Sequence, residues 1–343
     1  IEKGEPSVTM GAWSNVMSAL GMHLQFQDET AGQSQADRSG WWPVRIALSD
    51  YPQLKVLAWQ VQGTDYLTPV EAFDIYERNA RHMDMPSMDP QEQALMRALP
   101  QCLALLQALP TADQAHVRGV LRPITQGQGL DVSRFGQGLN ALKTEQELTD
   151  YTWQVAGCVG EFWTEVCEQH LPGWAHLPHA DLRATGRLYG MGLQRLNIIR
   201  DAGADLAAGR CYWPAETLAT AGLTPALLAE AAASGRANTL QALAPLYTQW
   251  LDHTQSQLAD GMRYALALKP LRLRLASALP ALIGARTVTL LRHAGPAALT
   301  QRVKMPRREV QGLLWRLLLR GVSVKALTRE FERLSAQADP ASR

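Results

Sequence analysis

The spacing of apolar residues at helical intervals is the feature that most constrains the fold of this chain. Ala and Leu dominate the apolar positions, and clusters of β-branched residues with a period of two are nearly absent. Proline and glycine fall mainly between the periodic segments, where they end helices. The pattern predicts helices at residues 9–26, 36–48, 68–84, 90–108, 111–126, 131–139, 145–170, 180–206, 224–232, 236–266, 271–293 and 306–319.

The composition favours one large helical core. Of the 343 residues, 46% are hydrophobic, which is ample for a core of this size. Because no linker rich in Pro, Gly or Ser divides the chain, we predict an all-α, single-domain bundle over residues 1–335, with a frayed tail at 336–343. The most apolar stretch, residues 275–291, is interrupted by Pro280, Gly284 and Arg286. It is therefore predicted to be a buried helix rather than a membrane span.

Charge and cysteine usage exclude several classes of protein. The net charge of +1 gives no basic surface of the kind that nucleic-acid binding requires, so no nucleic-acid partner is expected. The first residues lack a basic segment followed by an apolar one, so no secretory signal is expected. The cysteines form no CxxC pair and are predicted to be free buried thiols in a reducing compartment: Cys102, Cys158, Cys167 and Cys211.

The segment with the clearest chemistry is GRLYGMGLQRLNIIRDAGADLAAGRCYWP, residues 186–214. On a helix, Gln194, Asn197, Asp201 and Asp205 share one face because they are three or four residues apart. That face presents two amides followed by two carboxylates one turn apart.

Two carboxylates on an inward-facing helix repel each other and lose hydration unless a cation neutralises them. Mg²⁺ binds oxygen ligands, commonly one or two carboxylates together with water and phosphate oxygens. Arg200 and Arg210 flank the pair and can contact phosphate directly. Asp201 and Asp205 are therefore predicted to hold Mg²⁺ against a diphosphate. The competing interpretation is a solvated helix face on which these aspartates lie beside the two arginines.

Two other segments allow both a functional and a structural interpretation. In YTWQVAGCVGE, residues 151–161, glycines lie mid-helix, where each costs roughly 1 kcal/mol relative to Ala. Close approach of the backbone to a bulky ligand or to another helix explains that cost, and Val155 shares a face with Tyr151 as a candidate substrate contact. In RVKMPRREV, residues 302–310, basic residues precede a helix start, which either binds an anion or is an ordinary surface turn.

Together these segments resemble the squalene/phytoene synthase family, most closely its bacterial branch that joins two farnesyl diphosphates. NIIRDAGADLAAGRCYWP resembles the second aspartate-rich motif of that family, YTWQVAGCVGE its tyrosine-bearing helix, and RVKMPRREV its basic C-terminal segment. ALPTADQAHVRGVLRPITQGQGLDVSRF resembles the stretch that leads into the tyrosine helix. The resemblance covers about residues 90–320 and implies an isoprenoid-synthase-type helical bundle around a central apolar cavity.

The resemblance also implies roles for individual residues. Asp201 and Asp205 would bind Mg²⁺, and Tyr151 would lie near the reacting carbons. Gln194 and Asn197 would line the diphosphate site, and Arg302 and Lys304 would be candidate diphosphate contacts. The predicted substrate-binding set also includes the residues named above from their positions alone: Arg200, Arg210 and Val155.

The first aspartate-rich motif of the family is degraded in this chain. The best candidate is HLQFQDET, in which Asp28 keeps the final acidic position and is the candidate third metal ligand. Leu24 and Gln27 stand where acidic residues are expected. A second candidate, Asp74 with Glu77, is interpreted as a solvated helix face.

The resulting prediction is a Mg²⁺-dependent transferase that condenses two farnesyl or similar prenyl diphosphates head to head into a presqualene- or squalene-type product. NADPH serves the squalene-forming members of the family and is an optional second cofactor here. The alternative is a degenerate member that binds or ionises one prenyl diphosphate, or a non-catalytic binding or assembly protein. A third interpretation is an unrelated helical binding protein. The predicted location is the cytoplasm, and peripheral contact with the inner membrane is compatible with a lipid-borne substrate.

Overall fold

The computed structural model describes residues 46–58, 65–67, 69–79, 88–135, 138–320 and 323–336. These residues are mainly helical, which confirms the all-α prediction. The helices are α1 (Pro52–Leu57), α2 (Pro69–Arg78), α3 (Pro90–Ala108), α4 (Thr111–Arg134), α5 (Glu145–Thr152), α6 (Cys158–His170), α7 (His179–Ala207), α8 (Ala215–Thr220), α9 (Pro225–Ser234), α10 (Ala237–Ala267), α11 (Leu271–Ala294), α12 (Arg307–Arg320) and α13 (Val324–Ser335). A π-helical turn (Trp153–Gly157) joins α5 to α6, and 3₁₀ turns lie at Leu48–Asp50 and Gly295–Leu299. Two-residue strands are β1 (Ile46–Ala47), β2 (Tyr66–Leu67), β3 (Asn140–Ala141) and β4 (Arg210–Cys211).

The described residues form two compact units, and the division between Thr125 and Gln126 falls within α4. The smaller unit has its own apolar core around Ile46, Leu54 and Leu67, where β1 pairs antiparallel with β2. The prediction of a single domain over residues 1–335 stays a prediction.

A buried glutamate organises the smaller unit. Glu92 is 0% exposed, and its carboxylate accepts hydrogen bonds from the backbone N–H of Gln53 (3.1 Å) and of Leu54 (2.6 Å). The Tyr76 hydroxyl donates a third bond at 2.8 Å. Because the two backbone donors belong to the first turn of α1, the buried carboxylate satisfies donors that would otherwise have no helical partner.

The larger unit contains the described residues from 126 onwards, and its centre is built from α7, α10 and α11. Helix α7 packs against α10, which in turn packs against α11. Fully buried aliphatic residues such as Leu196, Leu258 and Leu282 fill the interface. Helix α6 also packs on α7, so closely that a Cβ at Gly160 would lie 2.0 Å from the carbonyl oxygen of Gly186. The glycines of the 151–161 segment therefore serve helix packing.

Several predicted helices match the structure, and others need correction. The 145–170 helix is continuous through its π-helical turn, as predicted. The prediction of separate helices at 111–126 and 131–139 is wrong, because α4 continues to Arg134. Gly127 does not break it: a Cβ there would lie 2.8 Å from Val155 Cγ1, so this glycine makes room for a neighbouring side chain.

The remaining differences concern the N-terminal region and three short or late helices. The described end of the predicted 36–48 helix is instead strand β1 followed by a 3₁₀ turn, and residues 9–26 and 36–45 lie outside the described residues. The sequence analysis missed three helices: α1, α8 and α13.

The apolar 275–291 stretch is a buried helix, as predicted. It lies within Leu271–Leu299, which is long and apolar enough to cross a membrane by length and composition alone. Because 61% of its most apolar window is buried inside the protein, it behaves as a core helix.

Candidate active site

Helix α7 carries the predicted aspartate pair and is fixed by its apolar side. It begins after Pro178, whose ring suits the entry to a helix, and Leu196 and Ile199 are each only 1% exposed. The side chains of Asp201 and Asp205 are 35% and 19% exposed, so they lie at the border between core and solvent.

The chain reverses direction just after this helix. Gly209 has a φ of +79°, a conformation that favours glycine, and a Cβ there would lie 2.5 Å from the carbonyl oxygen of Gly138. Strand β4 then runs parallel to β3. Trp213, 1% exposed, stacks on Trp250 with ring centroids 4.0 Å apart, which anchors the segment in the core.

Each aspartate of the pair lies against an arginine. Arg200 Nε donates to Asp201 Oδ1 at 2.9 Å, and Arg210 Nη2 lies 3.2 Å from Asp205 Oδ1. Burial nevertheless raises the pKa of Asp205 to about 6. The charge of Arg210 lowers this pKa, while the nearby charges of Asp201 and Asp131 raise it. One arginine therefore does not compensate for the burial of the Asp205 carboxylate.

A third acidic residue, Asp131, was not predicted from the sequence and lies beside Tyr151. Asp131 Oδ2 accepts hydrogen bonds from the Tyr151 hydroxyl at 2.8 Å and from the Tyr212 hydroxyl at 3.1 Å. The two phenol rings stack with centroids 5.1 Å apart, and Phe135 packs edge-on against Tyr212. The end of α4, the end of α5 and the chain after β4 therefore meet at this carboxylate.

Asp131 is electrostatically distinctive. Burial raises its pKa, and this effect is only partly offset by the two phenol hydrogen bonds and by the charges of Arg210 and Arg134. Burial likewise raises the pKa of Tyr151 and of Tyr212 far above the usual phenol value. In the sequence, Asp131 is linked to the site only by its place in the stretch that leads into the tyrosine helix. Tyr212 is linked to it only by its position two residues after Arg210.

Comparison with known proteins identifies the family. The family model for squalene/phytoene synthase matches residues 69–309, more than half of the chain. The chain belongs to the squalene/phytoene synthase family. It is 31% identical over 173 residues to a bifunctional lycopene cyclase/phytoene synthase of Colletotrichum graminicola, covering 47% of this chain and 28% of that protein. It is 33% identical over 104 residues to a squalene synthase of Saccharomyces cerevisiae, covering 28% of this chain and 22% of that protein. The chain thus spans less than a third of the length of these curated relatives.

A solved structure supports the same fold. The structure of TcSQS in complex with the ligand BPH1237 aligns with a TM-score of 0.58 at 18% sequence identity, covering 87% of this chain and 79% of that one. At this level of identity the likeness supports the squalene-synthase type of helical fold, as predicted.

The donor set of α7 suits the Mg²⁺ that the squalene/phytoene synthase family implies. Asp201 and Asp205 lie one turn apart and are close enough for their charges to interact, and both have solvent access. Two carboxylates with water and diphosphate oxygens complete the coordination that Mg²⁺ prefers. No group of three or more His, Cys, Asp or Glu residues gathers as a metal site in the described part of the chain. The metal role of the aspartate pair stays a prediction.

The other predicted substrate contacts lie in two places. Gln194 is half-buried and Asn197 is 9% exposed, and both precede the aspartates on α7. Val155 is half-buried in the π-helical turn and lies against Gly127 of α4. The packing role of Val155 is therefore visible, whereas its contact with substrate stays a prediction.

The basic C-terminal segment follows a close contact with the aspartate helix. A Cβ at Gly203, between the two aspartates, would lie 2.0 Å from the carbonyl oxygen of Leu299. Arg302 and Lys304 follow within five residues and are exposed. Because three residues of extended chain span about 10 Å, Arg302 begins near α7, and its role as a diphosphate contact stays a prediction.

Three further predictions concern other residues. Asp28 lies outside the described residues, so its role as a metal ligand stays a prediction. Asp74 is exposed on α2, as expected for a solvated helix face. Cys158, Cys167 and Cys211 are free and buried, as predicted, and burial raises the pKa of Cys211 to about 11.

Proposed function

We propose that this protein is a Mg²⁺-dependent transferase that joins two prenyl diphosphates head to head. Membership of the squalene/phytoene synthase family supports the reaction class. The observation that carries the proposal is the raised pKa of Asp205. Although Arg210 lies beside this carboxylate, burial raises its pKa to about 6, so one arginine does not offset the cost of burying the charge. A further cation next to Asp201 and Asp205 removes that deficit.

In this proposal, residues near the aspartate pair would bind one diphosphate and assist its departure. Arg200 and Arg210 each present a guanidinium fork that suits phosphate oxygens. Mg²⁺, when bound, supplies positive charge that stabilises the departing diphosphate. Trp213 and Tyr212, which are 1% and 8% exposed, line the same place as Asp205 and Arg210, and these apolar rings would keep water away from an allylic cation.

The test uses the full chain with farnesyl diphosphate and Mg²⁺. We expect release of diphosphate together with a C30 product, a cyclopropyl diphosphate without NADPH and a reduced hydrocarbon with it if this member uses NADPH. Geranyl and geranylgeranyl diphosphates in parallel reactions establish the preferred chain length. Chelation with EDTA should abolish release.

Matched variants separate the metal site from general binding. Asp201→Asn and Asp205→Asn should each lower turnover by about 100-fold or more, because each removes a charged ligand at the departing group. Asp74→Asn, on the exposed face of α2, is the control and should keep wild-type turnover.

Two outcomes would contradict the proposal in different ways. Diphosphate release without any C30 product would support the alternative of a family member that ionises a single prenyl diphosphate. Folded protein that neither binds nor cleaves any of the three prenyl diphosphates would eliminate the enzymatic function.

A further inference from the structure

Asp131 is half-buried, and among the described residues its carboxylate forms no ion pair of its own. Its Oδ1 is buried and makes no hydrogen bond within the described structure. Its Oδ2 accepts from the Tyr151 and Tyr212 phenols, with no other donor to it in the described part of the chain. The nearby cations are engaged elsewhere, since Arg210 lies against Asp205 and Arg134 against Glu147 at 3.4 Å.

Packing alone gives no reason for a carboxylate at this position. Burial of an ionised group costs free energy unless it is paired, and two neutral phenols compensate only in part. Phe135 and the stacked rings already hold α4 against the tyrosine helix through apolar contact. A poorly compensated titratable group next to a candidate reaction centre is typical of functional residues.

Tyr151 cannot act as a base without help. Its phenol is buried at 6% exposure, and an ionised phenolate there is strongly disfavoured at neutral pH. A neutral phenol takes up a proton efficiently only when it gives up its own proton in the same event. The Tyr151 hydroxyl lies 2.8 Å from the Asp131 carboxylate and 3.5 Å from the Tyr212 hydroxyl, so the carboxylate is both the nearer and the more basic acceptor for its proton.

We propose that Asp131 acts through Tyr151 as the acceptor of the proton that is lost when the two prenyl chains are joined. This inference rests on the proposed function. After the double bond of one chain attacks the allylic cation of the other, the new carbocation loses a proton, and the C–H electron pair forms the third bond of a cyclopropane ring.

Tyr151 and Asp131 together account for the proton that the substrate loses. The substrate proton bonds to Tyr151 Oη while the phenol proton moves to Asp131 Oδ2. Tyr151 is neutral before and after the step, and Asp131 changes from carboxylate to carboxylic acid. The positive charge of the substrate and the negative charge of Asp131 disappear together. Tyr212, which donates to the same oxygen, holds Asp131 in place.

The first test compares Asp131→Asn with Tyr212→Phe in the full chain. Asp131→Asn keeps the side-chain shape but cannot take a proton, so turnover at saturating farnesyl diphosphate should fall by about 100-fold or more. The dissociation constant of farnesyl thiodiphosphate with Mg²⁺, an unreactive analogue, should stay within about three-fold of wild type. Tyr212→Phe removes only a support for Asp131 and should lower turnover by about ten-fold or less.

A double variant tests whether the two residues act as one unit. If Asp131 acts only through Tyr151, the variant with both Tyr151→Phe and Asp131→Asn should be no slower than the slower single variant. Losses that multiply would show independent roles and would overturn the proton relay.

The outcomes also separate this inference from the proposed function. Wild-type protein that turns over, with Asp131→Asn retaining more than about one third of that turnover, overturns the relay alone. Equal loss of analogue binding and turnover in Asp131→Asn would make the residue structural and also overturn it. Wild-type protein without turnover contradicts the proposed function and the relay together.

Discussion

At the scale of single residues, the state of Asp205 connects the fold to the chemistry. Its carboxylate is 19% exposed, lies against Arg210 and still has a pKa of about 6 because of burial. Asp201, one turn earlier, is more exposed at 35%. The Asp205 carboxylate is therefore less hydrated than that of Asp201, and a neighbouring cation would stabilise its charged form more.

The raised pKa of Asp205 predicts how the free energy of unfolding depends on pH. The pKa of Asp205 is raised from its ordinary value of 3.8 to about 6 in the native protein, so the native state binds a proton more tightly than the unfolded chain does. Its contribution to the free energy of unfolding is then present at low pH and is lost as pH rises through this interval, by about 1–3 kcal/mol. Chemical denaturation of the metal-free protein between pH 4 and 7.5 measures it.

The Asp205→Asn variant isolates the effect. Relative to wild type, this variant should gain stability progressively as pH rises from 4 to 7, since the amide cannot ionise. Asp201→Asn is a second test: the charge of Asp201 raises the pKa of Asp205, so its removal should reduce the pH dependence assigned to Asp205. Parallel profiles for wild type and Asp205→Asn would show that burial does not perturb this carboxyl.

At the scale of secondary-structure elements, the contact between α6 and α7 is the tightest constraint on the tyrosine helix. At Gly160 a side chain would collide with the backbone of Gly186, which cannot move as a flexible side chain does. The glycine therefore fixes how deeply the helix that carries Tyr151 sits against the helix that carries the aspartates.

Two alanine substitutions should have opposite effects on stability. Gly160→Ala should lower the free energy of unfolding by about 1–3 kcal/mol or more, because overpacking pushes α6 from α7. Gly119→Ala in α4 meets open space and should raise it by about 0.5–1 kcal/mol through better helix propensity. Urea denaturation measures both, and a neutral Gly160→Ala would contradict the close approach.

The sequence predicts those features of the fold and of the candidate site that depend on the spacing of residues within one helix. The face of α7 with Asp201 and Asp205 follows from periodicity, as does the continuous helix around Tyr151. Asp131 could not be found in this way, because it meets Tyr151 and Tyr212 only through contacts 20 and 81 residues away along the chain. Likewise, Gly127 looks like a break in sequence but fits a neighbouring helix in the fold.

At the scale of the whole molecule, the candidate site draws on separate stretches of the larger unit. The ends of α4 and α5, the C-terminal half of α7 and the chain after β4 all contribute, so a ligand there ties together elements far apart in sequence. A ligand that binds the native state but not the unfolded chain raises the free energy of unfolding by mass action.

Ligand binding should therefore shift thermal unfolding. With Mg²⁺ and farnesyl thiodiphosphate at about 100 times the dissociation constant, stabilisation of about 2.7 kcal/mol is expected, corresponding to several degrees in Tm. Either component alone should give a smaller shift, and Asp205→Asn should remove the synergy between them. Scanning calorimetry measures this effect, and equal shifts with and without Mg²⁺ would argue against a joint metal–diphosphate site.

The arginine contacts of the aspartate pair have a consequence for the catalytic cycle. Arg200 and Arg210 are internal counter-ions of Asp201 and Asp205. If the proposed function holds, a metal-bound diphosphate would offer phosphate oxygens to the two guanidiniums, and the metal would take their place beside the carboxylates. Loss of the inorganic diphosphate would then let the original pairs re-form, so no charge of the motif would be left without a partner between turnovers.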